Sequence, residues 1–385
     1  MRVLHAPLNI GNQAWVLSRH ERKLGIDSDL MVSTTSFGYS ADSIVGSLGS
    51  DTDAAQRETL IAGLRTPLDY DVLHYYFGRS LVYWGDYGPG NPLSFLDLEI
   101  AWRMGRPIIF TLQGCDVRIA GESTERNRFT PCRQGACSSF AACLSSYDNQ
   151  RRELIAKILP KAARRFFLNP ELGHFLHEAE FLPYSSVEID DFTVTPPVLD
   201  RPPKILHAPS NGPIKGTAAI LDALEKLKGD YAFEVVLVQG MSHQEALLAY
   251  QDADLVIDQV LAGWYGGFAV EAMAMGKPVL CYLREEDFTF VSREMIADCP
   301  IGNIRPDRLV EDIAAVLDRR AEWTDWSARS RAYVDKWHNP SIIAGAMIDI
   351  YKDPSAALNL PDRIHRHGNA QRDASSSAEK MPCAE

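Results

Sequence analysis

Ala262-Gly263-Trp264-Tyr265-Gly266-Gly267-Phe268-Ala269-Val270-Glu271-Ala272-Met273-Ala274-Met275-Gly276-Lys277-Pro278-Val279-Leu280 reads as a glycine-rich loop, a helix of small apolar residues and a return into a strand. Gly276 stops the helix where a left-handed residue is wanted, and Pro278-Val279-Leu280 opens the strand. Loop, helix and strand in that order make one repeat of a parallel sheet covered by helices. Glu271 breaks the apolar run. A carboxylate among Val270, Ala272 and Met273 is costly to bury unless something supplies hydrogen bonds or opposite charge. The hydroxyls of a ribose or another sugar would do so. A side chain that reaches solvent or caps a neighbouring loop is the alternative.

Upstream, Lys204-Ile205-Leu206-His207-Ala208-Pro209-Ser210-Asn211-Gly212-Pro213-Ile214-Lys215-Gly216-Thr217 is a strand, a tight turn and the opening of a helix. Gly216 permits close backbone approach, Thr217 can cap the helix, and Lys215 puts a point charge at the positive end of the helix dipole. The turn suits a phosphate, although an ordinary strand-to-helix turn with a surface lysine has the same composition.

Further out, strand-like runs at 204–207, 233–238, 255–258 and 278–282 alternate with helical periodicity at 217–228, 243–253, 265–275 and 308–318. An earlier series has strands at 2–4, 28–31, 72–76, 107–111 and 165–168, with helices that include 12–24 and 92–104. Between the series, four prolines in residues 196–203 forbid a regular helix and favour an extended connector. The expected organisation is therefore two α/β domains, 1–197 and 203–336, followed by a helix over 337–354 that crosses back to the first domain. From 355 to 385, Pro, Ser, Asn, Gln and charged residues dominate and predict a disordered tail.

The total of 385 residues agrees with two domains, each able to bury a core. With 51 acidic against 39 basic side chains and a net charge of -12, the chain lacks the basic footprint of a general nucleic-acid binder. No apolar run approaches the ~18 residues of a membrane span, and the amino terminus does not read as a signal peptide. The expected setting is the cytoplasm, with at most peripheral contact at the inner face of a membrane. Residues 157–167 mix basic and apolar side chains as a membrane-surface segment would. A surface helix running into a buried strand accounts for them better, because Pro160 interrupts any long amphipathic helix.

Taken together, Lys215-Gly216-Thr217 after a strand, Asp254 before another, and the run through Glu271-Ala272-Met273-Ala274-Met275-Gly276-Lys277-Pro278-Val279 resemble family 4 glycosyltransferases of the GT-B fold. The resemblance extends to Asp71-Val72-Leu73-His74, to Thr111-Leu112-Gln113-Gly114-Cys115-Asp116-Val117-Arg118 and to Leu182-Pro183-Tyr184, and so covers about residues 1–352. It implies two Rossmann-like domains facing across a cleft, the first on the acceptor side and the second holding the donor. The implied reaction moves a sugar from a nucleoside-diphosphate donor to an acceptor hydroxyl, with retention at the anomeric carbon and no catalytic metal or cofactor. Lys215 would meet the diphosphate, Glu271 the ribose hydroxyls, and the amides of Tyr265, Gly266, Gly267 and Phe268 the phosphates and sugar, with Asn211 in the adjoining turn. On the acceptor or sugar side stand Gly11 and Asn12 in the first glycine turn, with Gln113 and Asp116 after a later strand. The acceptor would be a sugar, a glycan or a lipid-linked species in polysaccharide or glycoconjugate biosynthesis.

Three positions depart from the family pattern: Gly263 stands where a second glutamate is usual, Asn211-Gly212 where many members carry an arginine, and Gln113 where many carry a histidine. These departures keep two rivals open, a non-catalytic nucleotide-sugar binding or scaffold protein and a sugar-nucleotide epimerase. On their own residues, Asn9 or Asn12 could equally cap a helix, and Asp116 with Arg118 could form a pair within the loop. Cys132, Cys137 and Cys143, with Cys115 as a fourth, sit in or beside an insert over about 119–146 where a structural zinc would make sense. Their spacings lack a two-residue knuckle, so buried or free thiols are the favoured reading.

Overall fold

The computed structural model describes residues 1–34, 38–46, 53–83, 93–241 and 243–378. It divides into two compact units, one of Met1–Val117, Asn149–Val187 and His338–Glu385, the other of Arg118–Asp148 and Glu188–Trp337.

The first unit is built on a parallel sheet of β1 (Arg2–Ala6), β2 (Asp27–Val32), β3 (Ser43–Ile44), β4 (Val72–Tyr76), β5 (Ile108–Leu112), β6 (Arg164–Phe167) and β7 (Glu180–Phe181). Their order is β3-β2-β1-β4-β5-β6-β7. β4 and β5 are buried along their whole length, as strands covered on both faces must be. The chain moves outward from β1 to one side and then returns to place β4 on the other, so the switch point lies between β1 and β4. Helix Gln13–Lys23 packs on helix Pro340–Lys352, which is nearly all buried. Asn339 caps that second helix by accepting from the Ser341 and Ile342 amides at 3.0 and 3.3 Å.

The expected disordered tail is instead a helix, Leu360–Ala378. Its few apolar residues are well placed: Leu360 and Ile364 are buried, and the Leu360 amide donates to Glu180 at 2.8 Å. His367 meets Asp349 of the preceding helix at 3.0 Å. Composition averaged over the segment hides two anchors one helical turn apart. Cys383 and residues 379–385 lie outside the described residues.

The second unit carries a parallel sheet of β8 (Lys204–His207), β9 (Glu234–Leu237), β10 (Leu255–Ile257), β11 (Val279–Cys281) and β12 (Gly302–Asn303), in the order β12-β11-β10-β8-β9. Its core gathers Ile205, Ile257 and Leu280 from the strands with Ile220, Ile313 and Trp323 from the helices. The proline connector is fastened to this unit by two residues of the sequence motif. Asp254 accepts from the Val198 amide, the Lys204 amide and Arg201, and the fully buried Lys277 donates to the carbonyls of Thr195 at 2.5 Å and Gln251 at 2.7 Å.

Residues 118–148, read from sequence as an insert of the first domain, belong to the second unit. Arg284 donates to the Phe129 carbonyl at 2.7 Å, Phe129 meets Tyr282 edge-on, and Arg128 pairs with Asp307 at 2.9 Å. Inside the segment, Asp148 accepts from the Ala120 and Gly121 amides, and Cys132 and Cys143 pack as small apolar groups with Ala120, Phe140 and Tyr147. The described cysteines are free thiols, and among the described residues no group of three or more His, Cys, Asp or Glu side chains is arranged to hold a metal.

Candidate functional site

The switch point of the second sheet lies between β8 and β10, where the chain leaves the sheet in opposite directions and the following loops open side by side. After β8, Asn211 accepts from the Ile214 amide at 3.2 Å and starts the one-turn helix Gly212–Lys215. Gly216 then turns the chain at φ 79°, and a Cβ there would fall 2.5 Å from Val260. Only glycine fits, because both the left-handed backbone and the approach of the second loop exclude a side chain. Helix Thr217–Leu227 follows.

The loop after β10 closes on this turn. The Val260 amide donates to the Lys215 carbonyl at 3.0 Å. Asp258, fully buried at the end of β10, accepts from Lys215 Nζ through Oδ1 at 2.5 Å and from the Gly266 amide through Oδ2 at 2.8 Å. One carboxylate thus ties the lysine to the glycine loop. His207 sits beneath. Its Nδ1 can only donate to the Ile257 carbonyl, so Nε2 accepts the Thr217 hydroxyl, both at 2.8 Å. Burial lowers the pKa of this imidazole and keeps it neutral.

Helix Gly267–Ala274 begins immediately after Gly266, with its amino terminus beside Lys215. Of the expected loop amides, that of Gly266 is already bonded to Asp258. Those of Gly267 and Phe268 lie in the first helical turn, where amides have no partner within the helix. Tyr265 contributes no exposed side chain: it is buried, stacks on Trp264 and meets the Tyr333 hydroxyl at 2.8 Å. The Phe268 ring packs on Tyr250. Glu271 is partly buried, burial pushes its carboxyl up to about 7, and it has no hydrogen-bond or ion-pair partner among the described residues.

Gly263 is explained by Arg284. With φ at 77°, a Cβ on Gly263 would lie 2.8 Å from the Arg284 guanidinium carbon. That guanidinium is held by Asp287 at 3.0 Å and by the Phe129 carbonyl. A glutamate at 263 has no room, and an arginine fills the space.

In the first unit, the loops after β1 and β5 meet. Gly11 and Asn12 both have φ near 60°, and open space surrounds the position a Gly11 Cβ would take. Asn9, not Asn12, performs the capping: it accepts from the Trp15 amide at 3.4 Å and donates to Asn12 and to the Ser40 carbonyl. Gln113 Nε2 reaches the Ile10 carbonyl at 3.5 Å, and Asn169 donates to the Gln113 carbonyl at 2.8 Å. Gln113 Oε1 is buried with no partner among the described residues, so an acceptor stands ready for a donor. Asp116 is fully buried and accepts from the Gln113 and Gly114 amides, which makes it the clasp of its own loop.

Spatial grouping thus joins Asn211, Lys215, Gly266 and Gly267 in one unit, and Gly11, Asn12, Gln113 and Asp116 in the other. Sequence reasoning missed Asp258, His207 and Arg284. Asp258 was readable only as the end of a strand, and no local spacing ties it to Lys215.

No family model matches the chain, and no curated protein does. Solved structures match it over nearly their whole length. A glycosyltransferase from Rickettsia africae superposes with a TM-score of 0.58 at 13% identity, covering 93% of this chain and 99% of that one. Sucrose-phosphate synthase from Thermosynechococcus elongatus gives 0.55 at 14% identity, with 91% and 98% covered. Anabaena HepE in complex with UDP and glucose gives 0.55 at 10% identity, with 91% and 99% covered. Identities this low speak to architecture alone. With its two parallel Rossmann-like sheets and its carboxyl-terminal helices packed in the first unit, the chain has a fold of the GT-B type.

Proposed function

We propose that the chain is a retaining glycosyltransferase that moves a sugar from a nucleoside-diphosphate donor to an acceptor hydroxyl. The observation that carries this reading is the switch point of the second sheet. A lysine, a glycine turn and a helix amino terminus converge there, near a helix-borne carboxylate with no partner among the described residues. Lys215 and the amides of Gly267 and Phe268 bind the diphosphate, with Asn211 holding the turn. Glu271 accepts from the ribose hydroxyls. In the first unit, Gly11, Asn12 and the unpaired Gln113 oxygen face the sugar or the acceptor, and Asp116 keeps Gln113 in place.

In the reaction the bond from the anomeric carbon to the diphosphate oxygen breaks, a bond to the acceptor oxygen forms as its hydroxyl proton passes to the departing diphosphate oxygen, and negative charge gathers on the leaving diphosphate. Fixed donors and a cation stabilise that charge without a metal or other cofactor. The acceptor is a sugar, a glycan or a lipid-linked species, which suits polysaccharide or glycoconjugate assembly. No helix among the described residues is long and apolar enough to cross a membrane.

Thermal unfolding against a panel of nucleoside diphosphates and sugar nucleotides tests the donor site. Ligand at 100 times its Kd adds ~2.7 kcal/mol. A selective shift lost in Lys215→Ala and Glu271→Ala is expected, and a shift retained in both variants rejects the placement. The absence of room for a carboxylate at 263 favours one rival, a nucleotide-sugar binder without turnover. It predicts binding without product. An epimerase would consume the donor with no acceptor present.

A further inference from the structure

A cradle for a diphosphate is expected to be cationic, yet this one carries its own anion. Asp258 has no solvent exposure, lies 2.5 Å from the only side-chain cation in the turn and holds the Gly266 amide with its other oxygen. The space where a Gly266 Cβ would stand is 3.7 Å from both Lys215 Nζ and Asp258 Oδ2, so a ligand reaching the lysine along the glycine loop also meets the carboxylate's field. Two consequences follow from the geometry. The carboxylate fixes the lysine and the loop as one preorganised element, and it cancels the net charge that would otherwise hold an anion.

We propose that Asp258 is a positioning residue that makes the cradle discriminate by ligand charge, favouring a sugar nucleotide over the free nucleoside diphosphate. This rests on the reading that a sugar nucleotide is the substrate. A sugar nucleotide carries two negative charges on its diphosphate near neutral pH. The free nucleoside diphosphate, the leaving product, carries close to three. A fixed buried carboxylate penalises the third charge most, so the product is released while the donor is retained. The arrangement sacrifices some donor affinity to avoid a product trap, and it keeps Lys215 ordered when the site is empty.

The test is calorimetric titration of the full chain and of Asp258→Asn with inorganic pyrophosphate, the panel of nucleoside diphosphates, the corresponding sugar nucleotides and the free nucleosides. Asparagine keeps the shape and can still accept from the Gly266 amide. Asp258→Asn is expected to bind pyrophosphate and the preferred nucleoside diphosphate about tenfold more tightly, to gain less for the sugar nucleotide, and to leave the nucleoside unchanged. Its turnover should fall with stronger product inhibition, and Asp258→Glu should restore the wild-type preference. Unchanged or weaker pyrophosphate binding in Asp258→Asn, with nucleoside binding intact, overturns the proposal. The same holds if the gain survives in Lys215→Met/Asp258→Asn. If Asp258→Asn is too unstable to titrate, Asp258→Ser takes its place, and the same signs apply. Tighter pyrophosphate binding in the variant, with no nucleotide bound by either protein, would uphold the charge assignment and reject the sugar-nucleotide reading.

Discussion

Two helix-borne glutamates, one in each unit, face opposite fates. Glu21, on helix Gln13–Lys23, is fully buried and receives three hydrogen bonds: from His5 at 2.8 Å, Ser28 at 2.7 Å and Tyr351 at 2.9 Å. Those donors belong to a longer chain. Tyr351 accepts from His74 Nδ1, His74 Nε2 accepts from Thr111, and His5 Nδ1 meets the Tyr76 hydroxyl, each at 2.8 Å. Burial, with His5 nearby, holds His74 well below the usual histidine range and neutral. Glu271, on helix Gly267–Ala274, is partly buried and has no such partner among the described residues. A buried polar group with all its bonds made specifies a fold, whereas one left waiting points to a ligand.

The largest effect should come from breaking the satisfied side. Glu21→Ala strips the acceptor from three buried donors and should cost ~3–5 kcal/mol in chemical denaturation of the ligand-free protein. A loss below ~1 kcal/mol would mean that the network is ornamental. Lys277→Met leaves the Thr195 and Gln251 carbonyls without their buried donor while keeping the stem's volume, so we expect ~1–3 kcal/mol.

Glu271 should behave in the opposite way. Its folded-state carboxyl titrates near 7, above the usual value of 4.5, so its contribution is fully present below pH 4.5 and is lost as pH rises through 7. Glu271→Gln should therefore match wild type within ~0.5 kcal/mol at acid pH and exceed it by ~2–3 kcal/mol at pH 8. A parallel pH profile for the two proteins would show that the carboxylate is satisfied in solution. The smallest effect concerns the cysteine segment. A chelator should shift the Tm by less than about 2 °C, because Cys132 and Cys143 are packed as apolar groups. A large drop would restore a structural metal.

Much of the architecture was legible. The strands at 72–76 and 204–207 coincide with β4 and β8, because buried parallel strands read as short, mostly apolar runs. The two-residue strands β3, β7 and β12 were not legible, since so short a stretch has no periodicity to detect. At the site, Lys215 and Glu271 announced themselves by standing beside glycine or among apolar neighbours. Tyr265 was expected to offer its backbone amide, and its ring lies in the core, a placement that an aromatic residue beside a glycine loop does not announce.

The sequence by itself determined the alternation of strands and helices, the extended proline connector, the glycine turn at Gly216 and the isolation of a carboxylate in an apolar helix. Each depends on residues within a few positions of one another, where dihedral preference and periodicity operate. Only the tertiary structure decided that Asp258 would neutralise Lys215 across 43 residues, that Arg284 would occupy the space above Gly263, and that residues 118–148 would pack with the second unit. These are encounters between distant segments, and packing, rather than local preference, chooses which side chains meet.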